Sequence, residues 1–398
     1  MTSDVKIAIV IPTRNRPQLA INAVRSLLDQ DIKIDIFVAD NSTSPDDLPD
    51  FCRDSGVHYL RPGSELSMPE NWDFAVRRAM EISDASHFSV HYDRKYSRPG
   101  SWKRLADLAE RWPDSLITFP SDFIIHQPPP LRVWQVPWTG NELAIETKRA
   151  AELLAGGKVS AISHALPIFS NCLVPRPIME GIVRRFGNLC NSTGPDSCFM
   201  WRFLALHDRY IHMDRPQGIF YSAHRSSGLG YMRSKGGDFP DFLKTFGDRP
   251  WLDAAPVPGI SLGQNMLYHE HELVRRETGD RLPPLDRAAI LEDLGSCLTW
   301  IDDPRLKEYM RDRLREAGWS GSEPEPLPKY RLNSLFWQYV SLVRLKWLKR
   351  EPPHICGFHY RNDKQALRAA LRHPRQAEAE LGSLALLEPA TITASGRS

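Results

Sequence analysis

Short apolar runs alternate with helical patterns over the first 120 residues of the chain. The run at 6–11 (KIAIVI) is rich in β-branched residues and ends at Pro12, which is typical of a buried parallel strand. Apolar positions at helical spacing follow from Leu19 to Leu28. Further strands are predicted at 34–39, 57–60, 87–90 and 116–119. This alternation predicts an α/β fold with an open, mainly parallel sheet, whose ligands bind beyond the carboxyl ends of the strands.

Two sequence signals indicate where helices begin. Asn15 stands three residues before Gln18, with Pro17 between them, which predicts a capping-box-like start for the first helix. Ser67 and Glu70 have the same spacing ahead of a second helix, so a capping box is predicted there as well.

The second half of the chain has a different pattern. Short strands and helices are mixed beyond about residue 130, and the sequence is almost wholly helical in pattern from about residue 260. We therefore expect a main domain at 1–240, a helical appendage at 241–322, and a region at 323–398 with a Pro-rich linker, a basic amphipathic helix and a disordered tail. The stretch 269–272 (HEHE) lacks zinc-protease spacing and is expected to be a solvated face.

Charge and cysteine content exclude several classes of protein. Lys and Arg number 51 against 49 Asp and Glu, and a net charge of +2 argues against a nucleic-acid-binding protein. The six cysteines are irregularly spaced with no C-x-x-C pair, so we expect reduced thiols and no zinc or redox site.

The sequence also bears on location. The N-terminus does not match a signal peptide, and no stretch approaches the ~20 apolar residues of a membrane span, so a cytoplasmic location is expected. The segment 335–350 is aromatic, apolar and basic at one end. Either it contacts the inner face of a membrane peripherally, or it packs on the main domain with its basic end in solvent.

Five segments together resemble a known family. They are VIPTRNRP (10–17), VADNS (38–42), ENWDFAVRRA (70–79), DRK (93–95) and GPDS (194–197). In this order the chain resembles an inverting glycosyltransferase of the GT-A fold, family 2, over about residues 5–230. The resemblance implies transfer of a sugar from a nucleotide-diphosphate donor, with a UDP-sugar favoured, to a hydroxyl of a saccharide or glycoconjugate acceptor, as in surface polysaccharide biosynthesis.

The resemblance implies that the nucleotide binds at the strand ends. The residues implied are Pro12, Thr13, Arg14, Asp40, Asn41 and Asn71. Asp40 would accept a hydrogen bond from a ring N–H of the base, while Thr13 and Arg14 close the other side. The alternative for Asp40 and its neighbours is a plain turn, because Asp, Asn and Ser favour turns.

The central segment departs from the family, whose members usually carry Asp-x-Asp to hold Mg²⁺ or Mn²⁺. Here Asp93 is followed by Arg94 and Lys95. Lys95 cannot ligate a metal but can neutralise a diphosphate directly, so donor binding is expected to survive EDTA. Another register, from His91 to Asp93, would keep one carboxylate and an imidazole, and a third alternative is a solvated loop. Either register leaves the metal site incomplete, so a metal at Asp93 stays an open alternative and no cofactor is assigned.

The resemblance also implies a general base and a closing loop. Asp196, at the predicted start of a helix, would take the proton from the acceptor hydroxyl, and the alternative is a helix N-cap without a catalytic role. His224 and Arg225 would close over the diphosphate, with His224 standing in for a metal ligand or donating to phosphate. A surface histidine without function is the alternative.

Two other functions are considered. The loss of the second Asp at Lys95 suggests a catalytically silent nucleotide-sugar or glycan-binding protein. A sugar-phosphate nucleotidyltransferase would carry a Gly-rich loop and a Lys after the first strand, which the Pro12–Asn15 turn does not supply.

Overall fold

The computed structural model describes residues 5–125, 131–136, 138–190, 192–221, 226–232, 243–244, 252–301, 303–322 and 356–360. Strands and helices alternate in its first part. They are β1 (Ile7–Thr13), α1 (Pro17–Leu28), β2 (Ile34–Asp40), α2 (Leu48–Asp54), β3 (His58–Leu60), α3 (Met68–Ile82), β4 (His87–Val90), β5 (Lys95–Ser97), α4 (Ser101–Arg111) and β6 (Ile117–Thr118).

The order of elements is mixed in the rest of the chain. The elements are β7 (Ser121–Ile125), β8 (Leu131–Trp134), β9 (Glu142–Glu146), α5 (Thr147–Ala155), α6 (Val159–Ile162), a 3₁₀ turn (Phe169–Asn171), β10 (Cys172–Pro175), α7 (Arg176–Phe186), α8 (Pro195–Leu206), β11 (Arg209–Met213), β12 (Gly218–Phe220), α9 (Ser227–Met232), α10 (Asn265–Thr278), α11 (Arg287–Ser296), a second 3₁₀ turn (Cys297–Trp300), α12 (Pro304–Glu316) and β13 (Cys356–Tyr360).

The main sheet has eight strands in the order β3-β2-β1-β4-β10-β6-β11-β9. Strands β3, β2, β1 and β4 are parallel, β10 is antiparallel to its neighbours β4 and β6, β11 is parallel to β6, and β9 is antiparallel to β11. The predicted α/β fold with a mainly parallel sheet is confirmed. Thr13 pairs with Asp40 at the carboxyl ends of β1 and β2, so the polar residues that follow both strands lie at one edge.

Strand β1 is buried on both faces because helices cover both sides of the sheet. Its residues alternate between two hydrophobic clusters: Ala8 and Val10 pack with α3, and Ile7, Ile9 and Ile11 pack with α1. The apolar stripes of the helices meet these two faces. From α3 they include Trp72, Ala75, Val76 and Ala79, and from α1 they include Ala20, Ala23, Val24 and Leu27.

A smaller second sheet has the order β13-β8-β7-β12-β5. Strand β5 follows β4 after a short turn and pairs antiparallel with β12, with Lys95 opposite Phe220. The chain therefore leaves the main sheet just after Val90 and enters the second sheet at Lys95, so residues 91–94 connect the two sheets.

The two predicted helix starts have different outcomes. The capping box of α3 is confirmed, since the Ser67 backbone N–H and hydroxyl both donate to Glu70, at 2.9 and 2.6 Å. The prediction for α1 is wrong, because the N-cap is Arg16 and no side chain of the described residues caps the helix. Asn15 adopts a left-handed backbone conformation (φ 54°), and its Oδ1 instead accepts from the Thr43 N–H at 2.9 Å.

The C-terminal helices share a core with the sheet. Helix α10 packs against α8, and the Trp201 indole N–H donates to the Leu267 carbonyl at 2.8 Å. Residues of α10, α11 and α12 belong to the same hydrophobic cluster as Ala8 and Val10 of β1. The boundary at residue 240 stays a prediction. The expected solvated face at 269–272 is wrong for its first three residues, since His269, Glu270 and His271 are buried where α10 packs on the domain.

Three further expectations concern the ends and surface of the chain. The linker at 323–328, the segment 335–350 and the predicted tail lie outside the described residues. Within the described part, no helix is both long and apolar enough to cross a membrane. Cys52, Cys172, Cys190, Cys198 and Cys297 are buried and free of disulfide bonds.

Candidate functional site

A cavity of about 190 Å³ opens at the carboxyl ends of β1 and β4. It brings together the turn after β1, the end of β2, the start of α3, the connection between the two sheets, the start of α8 and one residue of α10. The lining residues are Pro12, Thr13, Arg14, Asn15, Arg16, Asn41, Met68, Asn71, Trp72, Tyr92, Asp93, Arg94, Gly194, Pro195, Asp196, Ser197, Ser226, Gly228 and Met266. A cavity beyond the strand ends is where an open α/β sheet binds its ligands.

Asp93 is buried, and its carboxylate contacts the side chains of Thr13 and Arg16. Its Oδ2 accepts a hydrogen bond from the Thr13 hydroxyl at 2.9 Å and lies 2.8 Å from Nε of Arg16. The carboxylate therefore connects the end of β1 to the segment between the two sheets. A guanidinium already balances its charge.

Three arginines, which we name the arginine cluster, line the cavity: Arg14, Arg16 and Arg94. Arg14 Nη2 pairs with the exposed Glu65 at 2.6 Å, while its buried Nη1 has no hydrogen-bond partner among the described residues. Arg94 Nη2 donates to the Ser226 hydroxyl at 3.0 Å. Burial lowers the pKa of Arg94, although the Asp93 carboxylate opposes that effect.

Of the three asparagines that line the cavity, Asn41 and Asn71 differ in how their side-chain amides are used. The Asn41 side chain bonds the Leu66 backbone in both directions, with Nδ2 2.7 Å from the carbonyl and Oδ1 3.1 Å from the N–H. Asn71 is only 4% exposed, and its Oδ1 has no hydrogen-bond partner in the described part of the chain. A buried polar atom without a partner is uncommon in native proteins, and in the wall of a cavity it is available to a ligand.

Asp196 is partly exposed in the cavity, and two neutral donors hold its carboxylate. Oδ2 accepts from the Tyr92 hydroxyl, and Oδ1 accepts from the Ser170 backbone N–H at 3.1 Å. The N-cap of α8 is Gly194, so Asp196 is not the N-cap residue. Desolvation of the carboxyl group raises the pKa of Asp196, while the hydrogen bonds from Tyr92 and Ser170 oppose the shift. A carboxylate with a raised pKa is suited to accept a proton.

A buried carboxylate that the sequence analysis missed binds the N-cap residue of α8, two residues before Asp196. Glu270 of α10 is fully buried, and its Oε1 accepts from the Gly194 N–H at 2.7 Å. Burial raises the pKa of Glu270 to about 7. A Cβ on Gly194 would lie 3.1 Å from Sδ of Met266, so the chain at the start of α8 packs closely on α10.

Lys95 is not in the cavity, which corrects the expectation that its ammonium faces a diphosphate. The side chain is 1% exposed, and Nζ donates to the Ser170 carbonyl at 2.9 Å and to Asn171 Oδ1 at 3.1 Å. Nζ also lies over the rings of Phe119 and Phe220. Pairing of β5 with β12 turns the side chain into the protein, where burial lowers its pKa to about 7. The solvated-loop alternative is wrong for Lys95 as well.

Asp40 lies at the end of β2 but does not line the cavity. Oδ1 accepts from the Ser42 backbone N–H at 2.9 Å and from its hydroxyl. Oδ2 accepts from the Tyr59 hydroxyl at 2.8 Å and from Arg61 Nη1 at 3.0 Å. The Arg61 side chain is 46% exposed, so it is the most accessible of these partners.

The remaining predicted site residues have separate outcomes. His91 is fully buried, with Nε2 3.0 Å from the Ser97 hydroxyl and Nδ1 3.0 Å from the Tyr92 carbonyl. Burial, together with the Lys95 charge, holds the pKa of His91 well below its usual range. It does not line the cavity with Asp93. His224 and Arg225 lie outside the described residues.

Comparison with known proteins identifies one part of the chain. Residues 8–81, from β1 to α3, match the family model described as glycosyl transferase family 2. This segment belongs to glycosyltransferase family 2. It supplies the lining residues from Pro12 to Trp72. The match agrees with the prediction of an enzyme of the glycosyltransferase class.

Solved structures with similarity to this chain include TarS of S. aureus. The crystal structure of TarS has 10% identity and a TM-score of 0.44, and the match covers 79% of this chain and 54% of TarS. TarS 1–349 in complex with UDP-GlcNAc has 12% identity and a TM-score of 0.43, with 79% of this chain and 89% of that chain covered. The chain thus spans about half the length of the first of these structures. No curated protein sequence matches the chain.

Proposed function

We propose that the chain is an inverting glycosyltransferase that moves a sugar from a nucleotide-diphosphate donor to a hydroxyl of a glycan or glycoconjugate acceptor. One observation carries the proposal. The Asp196 carboxylate, with its raised pKa, shares a cavity with the turn after β1 of the family 2 segment. A proton acceptor and a cationic binding surface are the two parts that such a transfer needs.

Asp196 is proposed as the general base. The acceptor oxygen attacks the anomeric carbon and forms the new C–O bond, while the bond from that carbon to the diphosphate oxygen breaks. The acceptor proton passes to a carboxylate oxygen of Asp196, and the diphosphate leaves with the electron pair. Tyr92 and Ser170 each occupy one lone pair of the carboxylate, which fixes its orientation and leaves a lone pair on each oxygen for the proton.

The nucleotide is proposed to bind at the ends of β1 and β2, with Asn71 and Asp40 as acceptors. Oδ1 of Asn71 has no hydrogen-bond partner in the described part of the chain, so it suits a donor hydroxyl of the ligand. For Asp40, a ring N–H of the base would take the place of the accessible Arg61 guanidinium at Oδ2. Uracil offers such a ring N–H, which favours a UDP-sugar.

The test is a transfer assay with product stereochemistry. The full chain is incubated with a panel of UDP-sugars and saccharide acceptors, and NMR determines the anomeric configuration of the product. The proposal expects a configuration opposite to that of the donor, and loss of product with Asp196→Asn. Retained configuration would contradict the inverting mechanism. Binding of a UDP-sugar without transfer to any acceptor would support the silent binding protein instead.

A further inference from the structure

The divalent cation that the family resemblance implies does not fit the residues present. Asp93 is the acidic residue of the central segment, and its Oδ2 already has Thr13 and Arg16 as neighbours. His91 is buried with both ring nitrogens near other atoms, and Lys95 is held in the interior. Among the described residues, no group of three or more His, Cys, Asp or Glu could hold a metal ion. Mg²⁺ and Mn²⁺ need several oxygen ligands, so this carboxylate alone is a poor site.

The arginine cluster occupies the same part of the cavity. Arg16 lies beside Asp93, where the family's carboxylate would otherwise hold a metal. Arg94 is adjacent in sequence to Asp93 and projects over the Tyr92 ring, with its guanidinium carbon 5.7 Å from the ring centre. Three guanidinium groups therefore line a cavity in which the carboxylates are Asp93 and Asp196.

Two details show that the arginine cluster is not saturated by the protein. Nη1 of Arg14 is buried and has no hydrogen-bond partner within the described residues. Burial lowers the pKa of Arg94, because the charged guanidinium loses hydration in the protein. A bound anion would offset that loss of hydration. Guanidinium groups bind phosphate oxygens with paired, charge-assisted hydrogen bonds.

We propose that Arg14, Arg16 and Arg94 bind the diphosphate of the donor directly, in place of a divalent cation. This inference rests on the proposed function for the presence of a nucleotide-diphosphate donor. It differs from the expectation based on Lys95, because the positive charge comes from the cavity lining and Lys95 takes no part in it.

The experiment compares a nucleoside diphosphate with its nucleoside. Titration calorimetry on the full chain measures the affinity for UDP and for uridine, in excess EDTA and with added Mn²⁺. UDP is expected to bind in EDTA as tightly as with Mn²⁺. Arg94→Gln and Arg14→Gln are each expected to weaken UDP binding about 10- to 100-fold while uridine affinity stays constant, because each removes a charge-assisted hydrogen bond. Arg94→Lys keeps the charge but lacks the paired donors of a guanidinium. Its UDP affinity should therefore lie between that of wild type and that of Arg94→Gln.

Controls separate this inference from folding defects and from failure of the proposed function. Arg111→Gln is the matched control, since Arg111 is a partly exposed arginine that pairs with Glu142 outside the cavity lining. Thermal unfolding shows whether each variant folds. If Arg94→Gln does not fold, Arg14→Gln provides the test. UDP binding that requires Mn²⁺, or equal losses for UDP and uridine, would overturn the inference and leave the proposed function standing. Binding of none of UDP, GDP, ADP and dTDP under either condition would overturn both.

Discussion

The arginine cluster and the Asp196 carboxylate lie in one cavity but hold their charges in different ways. The arginines have ionic partners at Asp93 and at the exposed Glu65, and the buried Nη1 of Arg14 has no hydrogen-bond partner among the residues that the structure describes. Asp196 has neutral donors instead, the Tyr92 hydroxyl and the Ser170 N–H. The first arrangement has unused capacity for an anion, and the second keeps a carboxylate able to gain a proton. The comparison suggests that binding and proton transfer are separable functions of the cavity.

The largest effect is expected from Asp196→Asn. The variant keeps the shape of the side chain but cannot accept the proton, so turnover should fall by ~10²-fold or more while UDP affinity changes little. Steady-state kinetics and calorimetry measure the two quantities. Asp208→Asn is the control, because Asp208 is an exposed carboxylate just beyond the other end of α8. Near wild-type turnover in Asp196→Asn would mean that the base lies elsewhere.

The reverse pattern is expected from Asp40→Ala. Loss of the acceptor at the end of β2 should weaken nucleotide affinity by ~1–3 kcal/mol, the range for leaving a buried partner unpaired. Turnover at saturating donor should change much less, because Asp40 is outside the Asp196 surroundings. Calorimetry with UDP and uridine tests this, and both ligands should lose affinity equally. Unchanged binding in a folded variant would remove Asp40 from the nucleotide site and leave the plain-turn alternative.

Glu270→Gln tests how the buried carboxylate at the start of α8 affects stability. The pKa of Glu270 is raised to about 7 from the ordinary 4.5, so the folded state keeps a proton that the unfolded chain loses. The stability that the proton on Glu270 contributes is fully present below pH 4.5 and is lost as the pH rises to about 7. The variant keeps an acceptor for the Gly194 N–H and should gain roughly 1–3 kcal/mol relative to wild type between pH 5 and pH 8.

Denaturant unfolding at several pH values measures that gain. Glu308→Gln, at an exposed carboxylate on α12, should show no such change. A constant difference between Glu270→Gln and wild type across this pH range would show that Glu270 does not titrate there.

The smallest effect is expected from Gly194→Ala. The added Cβ would lie 3.1 Å from Sδ of Met266, a flexible side chain, so the cost in stability should be ~1 kcal/mol. Because Gly194 precedes Asp196 by two residues, turnover should fall while UDP affinity is unchanged. The double variant with Met266→Ala should recover turnover. An equal loss of UDP affinity would mean that the two functions are not separable at this point.

The sequence predicted the elements whose residues are contiguous. The sheet, α1 and α3 follow from apolar runs and helical spacing, and Arg14 follows from its place after the first strand. Arg16 and Arg94 are also near strand ends, but their shared neighbour Asp93 becomes visible only when β1 and β4 pair. Lys95 was misplaced because its direction depends on the pairing of β5 with β12, a strand more than 100 residues away.

The surroundings of Asp196 were beyond prediction for a similar reason. Ser170 contributes a backbone N–H, which carries no sequence signal. Glu270 did carry a signal, since it shares a helical face with the apolar Leu267 and Val274. The polar composition of the HEHE stretch hid that spacing and led to the prediction of a solvated face.

The buried position of Lys95 limits which substitutions residue 95 can accept. An aspartate at position 95 would restore the family's usual pair of carboxylates in the sequence, yet it would not restore a metal site. The shorter side chain would bury a carboxylate at position 95 and leave the Ser170 carbonyl and Asn171 Oδ1 without the ammonium that they now bind. Gly218 adds a constraint, since a Cβ there would meet Lys95 Cε at 2.8 Å. Lys95→Asp alone is therefore expected not to create a metal site, because positions 95, 171 and 218 are in direct contact with one another through the Lys95 side chain.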